Sequence, residues 1–521
     1  MVNVDLEVTG TSRESRGGPG GGTGWLRWLD RPLSRSWCAF GWLTATAIFI
    51  GIARLLGGPT DSDSPESLYS TWAIAHGHLS CAYPAANRYH IPSVAHPGPF
   101  IAPLWPLLSG GIAALARIGH TVPFPSTTML GPNCTTAYQA MFHWSVQSGA
   151  AAPTVRLGYL SVLVLMAGAV VLLRATGRGL RVWEPVALVL VACTPAAWMA
   201  LLEYFHPQDI VAMGLVLGGL ACVRRDRWLG AGILLGFAVT SQQFALLVLA
   251  PLVVVVPAHR RVRFVGAAIV ADALLVVPVL VATSGRAFSA AVIGSGNTAS
   301  YGGTVLWELH LHGALLVASS RLAPIALSMT LACWAQRRLG PELLNPVPLV
   351  SLIATSLALR LVFEQNLFGY YFTALALLLV LLDVVRGRLR EEVVAWLALL
   401  TLAFSPVPWG FVSNSMAWGL QEREFLPFVG MAVALVVVIH DVRRHRVRWY
   451  RVGWLAVVVV AFVRLPWTDP PFRPPMPTWF WQIVLVASGV ALAVGPLMTA
   501  MRDRTASGFN AGHEQISLIS C

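Results

Sequence analysis

Apolar runs of about twenty residues recur along most of the chain, and short polar segments separate them. Each run is long enough to cross the ~30 Å hydrocarbon core of a bilayer as one helix. The pattern predicts an all-α polytopic membrane protein with about 12 transmembrane helices, a re-entrant helical hairpin and a long first extracytoplasmic loop. The predicted spans are Trp37–Leu56, Leu157–Leu173, Val182–Leu201, Asp209–Val223, Phe264–Thr283, Leu311–Trp334, Pro346–Phe363, Leu367–Val385, Val393–Trp409, Phe425–Ile439, Val452–Leu465 and Trp479–Met501.

The hairpin is predicted at Trp228–Pro257, which has arginines at both ends. Thirty residues are too few for two full crossings, and the polar break at Thr240–Gln243 indicates two half-helices that enter the membrane and return. A bilayer tolerates such a break only where protein covers the freed backbone groups.

The formal net charge of +12 comes from arginines in short loops, such as Arg386–Arg390 and Arg443–Arg448. Basic loops between apolar runs mark the cytoplasmic side and face anionic lipid, so nucleic acid is not an expected partner. This orientation gives a disordered cytoplasmic tail at 1–36, a membrane domain at 37–501 with an extracytoplasmic loop at 58–155, and a cytoplasmic tail at 502–521.

The loop at 58–155 opens on an acid-rich stretch with Asp61, Asp63 and Glu66. A helix is predicted over Glu66–His78, with Leu68, Trp72 and Ala75 on one apolar stripe, so that it lies along the membrane surface. Phe100–Ala116 carries two prolines and is predicted as an interfacial or re-entrant segment. Cys81 and Cys134 share this loop, where oxidation can occur, and both a disulfide and two free thiols stay open.

With this orientation, most of the polar side chains near span ends gather on the outer side of the membrane. Such one-sided placement is expected of an active site that takes a lipid-linked substrate from the outer leaflet. The residues are Asp61, Asp63, Glu203, His206, Asp209, Glu308, His310, His312, Arg360, Glu364, Tyr370 and Tyr371.

Short motifs in four segments form a combination that resembles a known family. They are Asp63 with Gly77 fourteen positions later, near Tyr69, Trp72 and Tyr83-Pro84; His206-Pro207-Gln208-Asp209; LGAGILLGFAVTSQQFALLVLAPL; and Arg360 upstream of Tyr370-Tyr371. This layout resembles GT-C glycosyltransferases, particularly actinobacterial polyprenyl-phosphate-mannose-dependent mannosyltransferases. The chain departs from the family at Gln243, where a basic residue often stands.

The resemblance implies transfer of a sugar, with mannose the first candidate, from a polyprenyl-phosphate donor to a cell-envelope glycolipid or glycan at the plasma membrane. An inverting transfer needs a general base, and position favours Asp63, then Asp61, which the resemblance also implies. Arg360 suits the leaving phosphate, assisted by Tyr370 or His206. The candidate substrate-binding residues are Glu203, His206, Asp209, His310, Arg360, Glu364, Tyr370 and Tyr371.

Simpler structural roles exist for several of these residues. The acidic stretch can be a solvated loop, Arg360 can snorkel or pair with Glu364 one turn later, and Asp209 can cap the following helix. Asp272 and Arg321, both inside spans, are predicted to pair with each other.

No cofactor or metal is expected, because a monophosphate leaving group does not require one. His310 and His312 lie two positions apart and point to different faces of a helix, which argues against a shared metal. A lipid or sugar transporter or flippase is the alternative function, since transporters also use broken helices. A non-catalytic scaffold is a third possible function.

Overall fold

The computed structural model describes residues 32, 34–56, 63–83, 102–118, 134, 137–138, 140, 156–177, 179–283, 285, 304–311, 313–365, 367–404 and 478–519. Within them the fold is all-helical, apart from one isolated bridge between Pro32 and Arg181. The helices are α1 (Arg35–Leu56), α2 (Asp63–Ala75), α3 (Leu104–Ile118), α4 (Tyr159–Ala175), α5 (Trp183–Ala192), α6 (Pro195–Trp198), α7 (Pro207–Arg224), α8 (Trp228–Ser241), α9 (Leu246–Val255), α10 (Ala258–Ala282), α11 (Val305–Glu308), α12 (Gly313–Leu339), α13 (Pro346–Val362), α14 (Thr373–Val385), α15 (Glu391–Phe404) and α16 (Thr478–Ile519).

Helix length and surface chemistry identify a membrane protein. Six helices in the described residues are long and apolar enough to cross a bilayer, or seven if a bent pair counts as one span. Helix α10 exposes large aliphatic side chains, including Ile269, Val270 and Leu274, each more than 60% exposed. Such a surface is suited to lipid and not to water.

The prediction of twelve spans is only partly matched. Two predicted spans, Phe425–Ile439 and Val452–Leu465, lie outside the described residues, while α13 and α14 are apolar but shorter than the other spans. The starts and ends of α1, α13 and α14 otherwise agree with the apolar runs to within a few residues, except that α14 is preceded by a short 3-10 turn. Twelve spans stay a prediction.

The predicted span Val182–Leu201 is not one straight helix. Helix α5 ends at Ala192, and the chain bends by 73° before α6 and a π-helix at Met199–Glu203. Thr194 has extended backbone (ψ 152°) and precedes Pro195, whose ring disfavours helical backbone in the residue before it. The bend turns the end of this segment into the protein interior, where Trp198 and Leu201 are buried.

Helix α2 is enclosed by protein, and the expectation of a surface helix with one apolar stripe is wrong. Leu68, Trp72 and Ala75 are buried, but so are all residues from Ser67 to Ala73, about two full turns. Leu68 joins the main core, while Tyr69 and Trp72 join a second cluster that includes Val279 of α10. The helix therefore bridges two cores.

Two polar side chains of α2, Tyr69 and Ser70, find hydrogen-bond partners inside this first loop. Ser70 Oγ donates to the carbonyl of Ala82 at 2.9 Å, and Tyr69 Oη donates to the carbonyl of Cys134 at 2.9 Å. Cys81 and Cys134 form a disulfide with a Cα–Cα distance of 5.1 Å. The open question about these two cysteines is thus answered in favour of the bond, which ties residues 53 positions apart to the end of α2.

The predicted hairpin is present as α8 and α9, separated by a break at Gln242–Ala245. It reaches further than a half-helix dip, because Ser241 Oγ donates to the carbonyl of Gln208 in the first turn of α7 at 2.8 Å. Helix α8, about 21 Å long, therefore runs along most of α7, about 27 Å long. The tip of the hairpin lies at the end of the bundle where α7 begins.

The helices of the bundle approach each other closely. Helices α4 and α7 cross where Gly168 meets Gly214, and a Cβ on either glycine would clash with the other helix's backbone. Helix α14 is buried on every side from Leu375 to Leu382, as expected of a helix that is apolar all round. It is the central helix against which α5, α7, α13 and α15 pack.

The predicted pair between Asp272 and Arg321 does not form. Thr240 Oγ1 in α8 donates to Asp272 Oδ1 at 2.7 Å, and the described residues contain no ion pair between Asp272 and Arg321. Helix α10 packs along α8, which places Thr240 beside the aspartate, whereas α12 packs on α9.

Candidate functional site

A strained segment positions the first group of polar side chains. The π-helix Met199–Glu203 is followed by Phe205 in the left-handed region (φ 53°), which a bulky residue rarely adopts. His206 then caps α7, and Pro207 begins it, a position where proline loses no hydrogen bond. Such strain persists only where surrounding packing enforces it and is concentrated at functional sites.

Asp209, in the first turn of α7, is buried and takes its hydrogen bond from the hairpin tip. Gln242 Nε2 donates to Asp209 Oδ1, and the Gln242 side-chain oxygen accepts the backbone N–H of Gln243 at 3.0 Å. The Asp209 carboxylate thus bonds a side chain from another helix pair, and the described residues show no hydrogen bond to it from its own helix, of the kind that the capping alternative requires. Gln208 also contacts His206, at 3.0 Å between Nε2 and Nδ1.

Arg360, in the last turn of α13, is held on three sides. Its Nε donates to Glu364 Oε2 at 2.8 Å, and both side chains are largely buried, 17% and 14% exposed. The guanidinium lies 5.5 Å from the ring centre of Phe244 and 5.1 Å from that of Tyr371. The pairing alternative is therefore confirmed, and two cation–π contacts add to it.

Aromatic rings join the His206 segment to the Arg360 segment. Tyr370 stacks on His206 with 4.4 Å between ring centres, and it also contacts Tyr204 at 5.0 Å and Tyr371 at 4.5 Å. Phe368 lies parallel to Tyr370 at 5.8 Å. Together these side chains form one group, the Arg360 cluster, which consists of Tyr204, His206, Asp209, Gln242, Phe244, Arg360, Glu364, Phe368, Tyr370 and Tyr371.

Arg360 is the permanent cation of the cluster, and the carboxylates of Glu364 and Asp209 oppose its charge. Arg360 and His206 attract the Asp209 carboxylate, and Glu364 repels it. Among the described residues, Glu364 is the only hydrogen-bond partner of the guanidinium, so Nη1 and Nη2 are available to an oxyanion. A planar guanidinium held between two rings can present both nitrogens to one phosphate. The described residues hold no group of three or more His, Cys, Asp or Glu side chains that could bind a metal ion.

The structure brings six of the predicted site residues into one cluster: His206, Asp209, Arg360, Glu364, Tyr370 and Tyr371. These side chains therefore converge as predicted, and the side of the membrane that they face stays a prediction. His310 lies in an exposed turn (φ 51°) after α11 and has no part in the contacts above.

Other predicted residues are placed only by their backbone or not at all. Asp63 is the first residue of α2, and Glu203 is the last residue of the π-helix; the side chains of both lie outside the described part of the structure. Asp61 lies entirely outside it, as does His312.

The first outer loop lies next to the cluster through α3. Trp105 of α3 is fully buried and meets Phe205 edge to face, with 6.5 Å between ring centres. Helix α2 packs along α3, and Thr71 and Ser109 share a hydrogen bond of 2.8 Å between them. The acidic start of α2 thus belongs to a unit that contacts the strained residue preceding His206.

Sequence reasoning missed Gln242, Phe244, Phe368 and Tyr204 as members of the cluster. Gln242 lies within the polar break of an apolar hairpin, and an amide at such a position has to find a partner inside the protein. That signal was present in the sequence, whereas the contacts of the three aromatic residues depend on the packing of distant segments.

No protein-family model matches the chain, and neither a curated protein nor a solved structure matches it. The fold and the site together define a helical membrane protein with a buried cluster of an arginine, two carboxylates and aromatic rings at one end of its bundle.

Proposed function

We propose that the chain is a membrane glycosyltransferase that moves a sugar, with mannose the first candidate, from a polyprenyl-phosphate donor to a glycolipid or glycan acceptor. The active site faces the extracytoplasmic side of the plasma membrane in this proposal. The observation that carries it is the Arg360 guanidinium, fixed by Glu364, Phe244 and Tyr371 with its terminal nitrogens available.

The basic loops at the opposite end of the bundle support the proposed side of the membrane. Helices α7 and α8 meet at a loop with Arg224, Arg225 and Arg227, and α14 and α15 meet at Arg386–Arg390. Basic loops face the cytoplasm, so the Arg360 cluster at the other end of α7 and α14 faces outward. A lipid phosphate in the outer leaflet then lies at the depth of the cluster.

In the proposed reaction the donor phosphate binds Arg360, and Tyr370 and His206 adjust its position. Asp63 takes the proton of the acceptor hydroxyl as its oxygen attacks the anomeric carbon, with Asp61 as the second candidate. The bond between that carbon and the phosphate oxygen breaks, and its electron pair leaves with the lipid monophosphate. Asp63 then releases the proton to water. No metal takes part.

Transfer of radiolabelled mannose from polyprenyl-phosphate mannose into membrane glycolipid or glycan tests this proposal. Asp63→Ala and Arg360→Gln are compared with wild type at matched expression, and Glu66→Ala is the matched control in the same first turn of α2. We expect wild type and Glu66→Ala to transfer label and the two other variants to lose it.

Full transfer by Asp63→Ala would remove Asp63 from the chemistry, and Asp61→Ala would be tested next. If wild type transfers no label with mannose or other hexose donors, the glycosyltransferase proposal fails.

A transporter or flippase for a lipid or sugar is the second candidate. The break between α8 and α9 favours it, because the broken hairpin places Gln242 against Asp209, and transporters build substrate sites at such breaks. Wild type would then move a labelled lipid-linked sugar across vesicle membranes without transferring the sugar. This measurement separates the two functions in one preparation.

A further inference from the structure

A pocket of about 560 Å³ lies at the opposite end of the bundle from the Arg360 cluster. The loop between α14 and α15 forms one wall, with Arg386, Arg388 and Arg390, and α16 forms the other with Leu492 and Pro496. This wall of α16 lies within Ile483–Thr505, a helix able to cross a membrane. The pocket therefore joins a basic loop to the flank of a spanning helix.

Hydrogen bonds to Asp383 and to the carbonyl of Leu492 fix Arg390, the third arginine of the pocket. Asp383 accepts Arg390 Nε at 2.5 Å and the Arg390 backbone N–H at 2.7 Å. Arg390 Nη1 donates to the carbonyl of Leu492 at 3.2 Å, which Pro496 leaves without its helical partner because proline has no N–H. Arg390 Nη2 is buried and has no partner in the described residues.

Arg386 and Arg388 are the cations of the pocket that no carboxylate neutralises directly. Neither forms a salt bridge within the described residues. Burial and the adjacent Arg390 both lower the pKa of the Arg386 guanidinium, so its charged form is stabilised less here than in water. An anion in the pocket would relieve this cost.

The charge of that anion follows from the groups around the pocket. Its three arginines are opposed by Glu391 and Glu392 in the lining and by Asp383 behind Arg390, so an anion of several charges would be repelled. A phosphodiester carries one negative charge and can accept from Arg386, Arg388 and the unpartnered Nη2 of Arg390. Leu389 and Leu492 also line the pocket, and Leu492 belongs to the candidate span of α16, most of whose surface is not buried by protein.

We infer that this pocket binds the phosphodiester headgroup of a phospholipid from the inner leaflet, with Arg386 and Arg388 as the phosphate ligands and Arg390 as their fixed neighbour. The site is separate from the Arg360 cluster and has no part in the proposed transfer. Its role is to hold the loop between α14 and α15 against α16 through a bound lipid.

Native mass spectrometry of the full chain tests this inference. The protein is purified from phosphatidylcholine vesicles that contain phosphatidylglycerol, and the phosphatidylglycerol retained per molecule is counted. We compare wild type, Arg386→Gln/Arg388→Gln, and the control Arg337→Gln/Arg338→Gln, which removes two exposed arginines at the end of α12. We expect wild type and the control to retain one phosphatidylglycerol, and the first double variant to retain at least about tenfold less, since each arginine contributes roughly fivefold.

Equal retention of phosphatidylglycerol by all three proteins would overturn the proposed site. Equal loss of phosphatidylglycerol by the two double variants would also overturn it, because the lipid would then bind by general charge attraction. Displacement by an excess of inorganic phosphate as effective as displacement by phosphatidylglycerol would overturn the lipid headgroup as the ligand. If the double variant does not fold, cross-linking of photoactivatable phosphatidylglycerol to wild type decides the matter. Labelled peptides should then contain Arg386–Glu392, and labelling elsewhere would contradict the inference.

Discussion

The two ends of the bundle each hold an arginine bound to a carboxylate, and they use the pair differently. At the Arg360 end, Nε contacts Glu364 at 2.8 Å, and aromatic rings cover the guanidinium. At the opposite end, Arg390 contacts fully buried Asp383 through Nε and its backbone N–H and contacts Leu492 through Nη1. The terminal nitrogens of Arg360 have no hydrogen-bond partner in the described residues, whereas most donors of Arg390 are bonded to neighbouring helices.

The difference separates a binding arrangement from a structural one. The pair of Arg390 and Asp383 links α14, α15 and α16, so its loss should loosen three helices. The pair of Arg360 and Glu364 joins residues one helical turn apart, and a contact this local fixes the direction of a side chain more than it joins helices. Substitutions at the two pairs should therefore affect stability and transfer in opposite proportions.

The largest expected effect on stability is that of Asp383→Ala. Removing one partner of a buried ion pair leaves the other charge uncompensated, which costs about 3–5 kcal/mol. We expect a large drop in the melting temperature of the purified protein, measured by scanning fluorimetry. The double variant Asp383→Leu/Arg390→Met removes both charges and should recover most of the loss. An unchanged melting temperature for Asp383→Ala would contradict the structural role of this pair.

At the other end, Arg360→Lys should preserve the fold and reduce transfer. Lysine keeps the charge beside Glu364 and the aromatic rings but lacks the planar fork that binds two phosphate oxygens. We expect the rate of sugar transfer to fall about 10²–10³-fold, the usual result of removing one donor to a developing oxyanion. Arg321→Lys, in α12, is the matched control. Transfer at the wild-type rate by Arg360→Lys would place the phosphate elsewhere.

The disulfide gives the end of the bundle with the Arg360 cluster a covalent restraint that the opposite end lacks in the described residues. Cys81→Ser/Cys134→Ser should lower stability by about 2–4 kcal/mol, since the bond closes a loop of 53 positions in the unfolded chain. Reduction of the wild-type protein should give a similar shift in melting temperature and leave the double variant unchanged. Sensitivity of the double variant to reductant would show that another thiol is responsible.

The positions of most helices could be predicted from the sequence, because spans are set by the length of an apolar run. The break at Gln242 was visible as four consecutive polar residues, Thr240–Gln243, within an apolar run. The bend after Ala192 was missed, since the run holds two prolines, Pro185 and Pro195, and spanning helices tolerate proline. The partner of Asp272 was assigned wrongly, because charge alone does not tell which helices touch.

The sequence indicated which residues belong to the candidate site better than it indicated how they contact each other. His206, Asp209, Arg360 and Tyr370 stood out as polar groups at the outer ends of spans. Their contact depends on the hairpin tip reaching the first turn of α7, which in turn depends on close packing of α8 on α7, such as that between Leu235 and Gly219. No local pattern encodes that distance.

Gln242 offers a smaller test of how the hairpin supports the cluster. Gln242→Leu removes the donor to the buried Asp209 carboxylate, which should cost about 1–3 kcal/mol. Asp209→Asn in the same background should recover part of the loss, because an amide is less costly to bury without this donor than a charge. A double-mutant cycle measured by thermal unfolding gives the coupling. Additive effects would mean that the two side chains do not interact.

The smallest effect should come from the exposed ion pair of Asp226 and Arg260, at the end of the bundle opposite the Arg360 cluster. Hydrogen bonds from Arg260 and then from Trp228, at 2.6 Å, lower the pKa of the Asp226 carboxyl below its usual value. A folded-state pKa below the unfolded one stabilises the protein above about pH 4 and loses this effect as pH falls through the folded value. Asp226→Asn should therefore melt slightly below wild type at pH 7, and the gap should close at pH 3 and narrow in high salt. A gap that persists at pH 3 would assign the effect to the left-handed backbone at Asp226 (φ 57°). The exposed ion pair would then contribute nothing measurable to stability, unlike the buried pairs of Arg360 and Arg390.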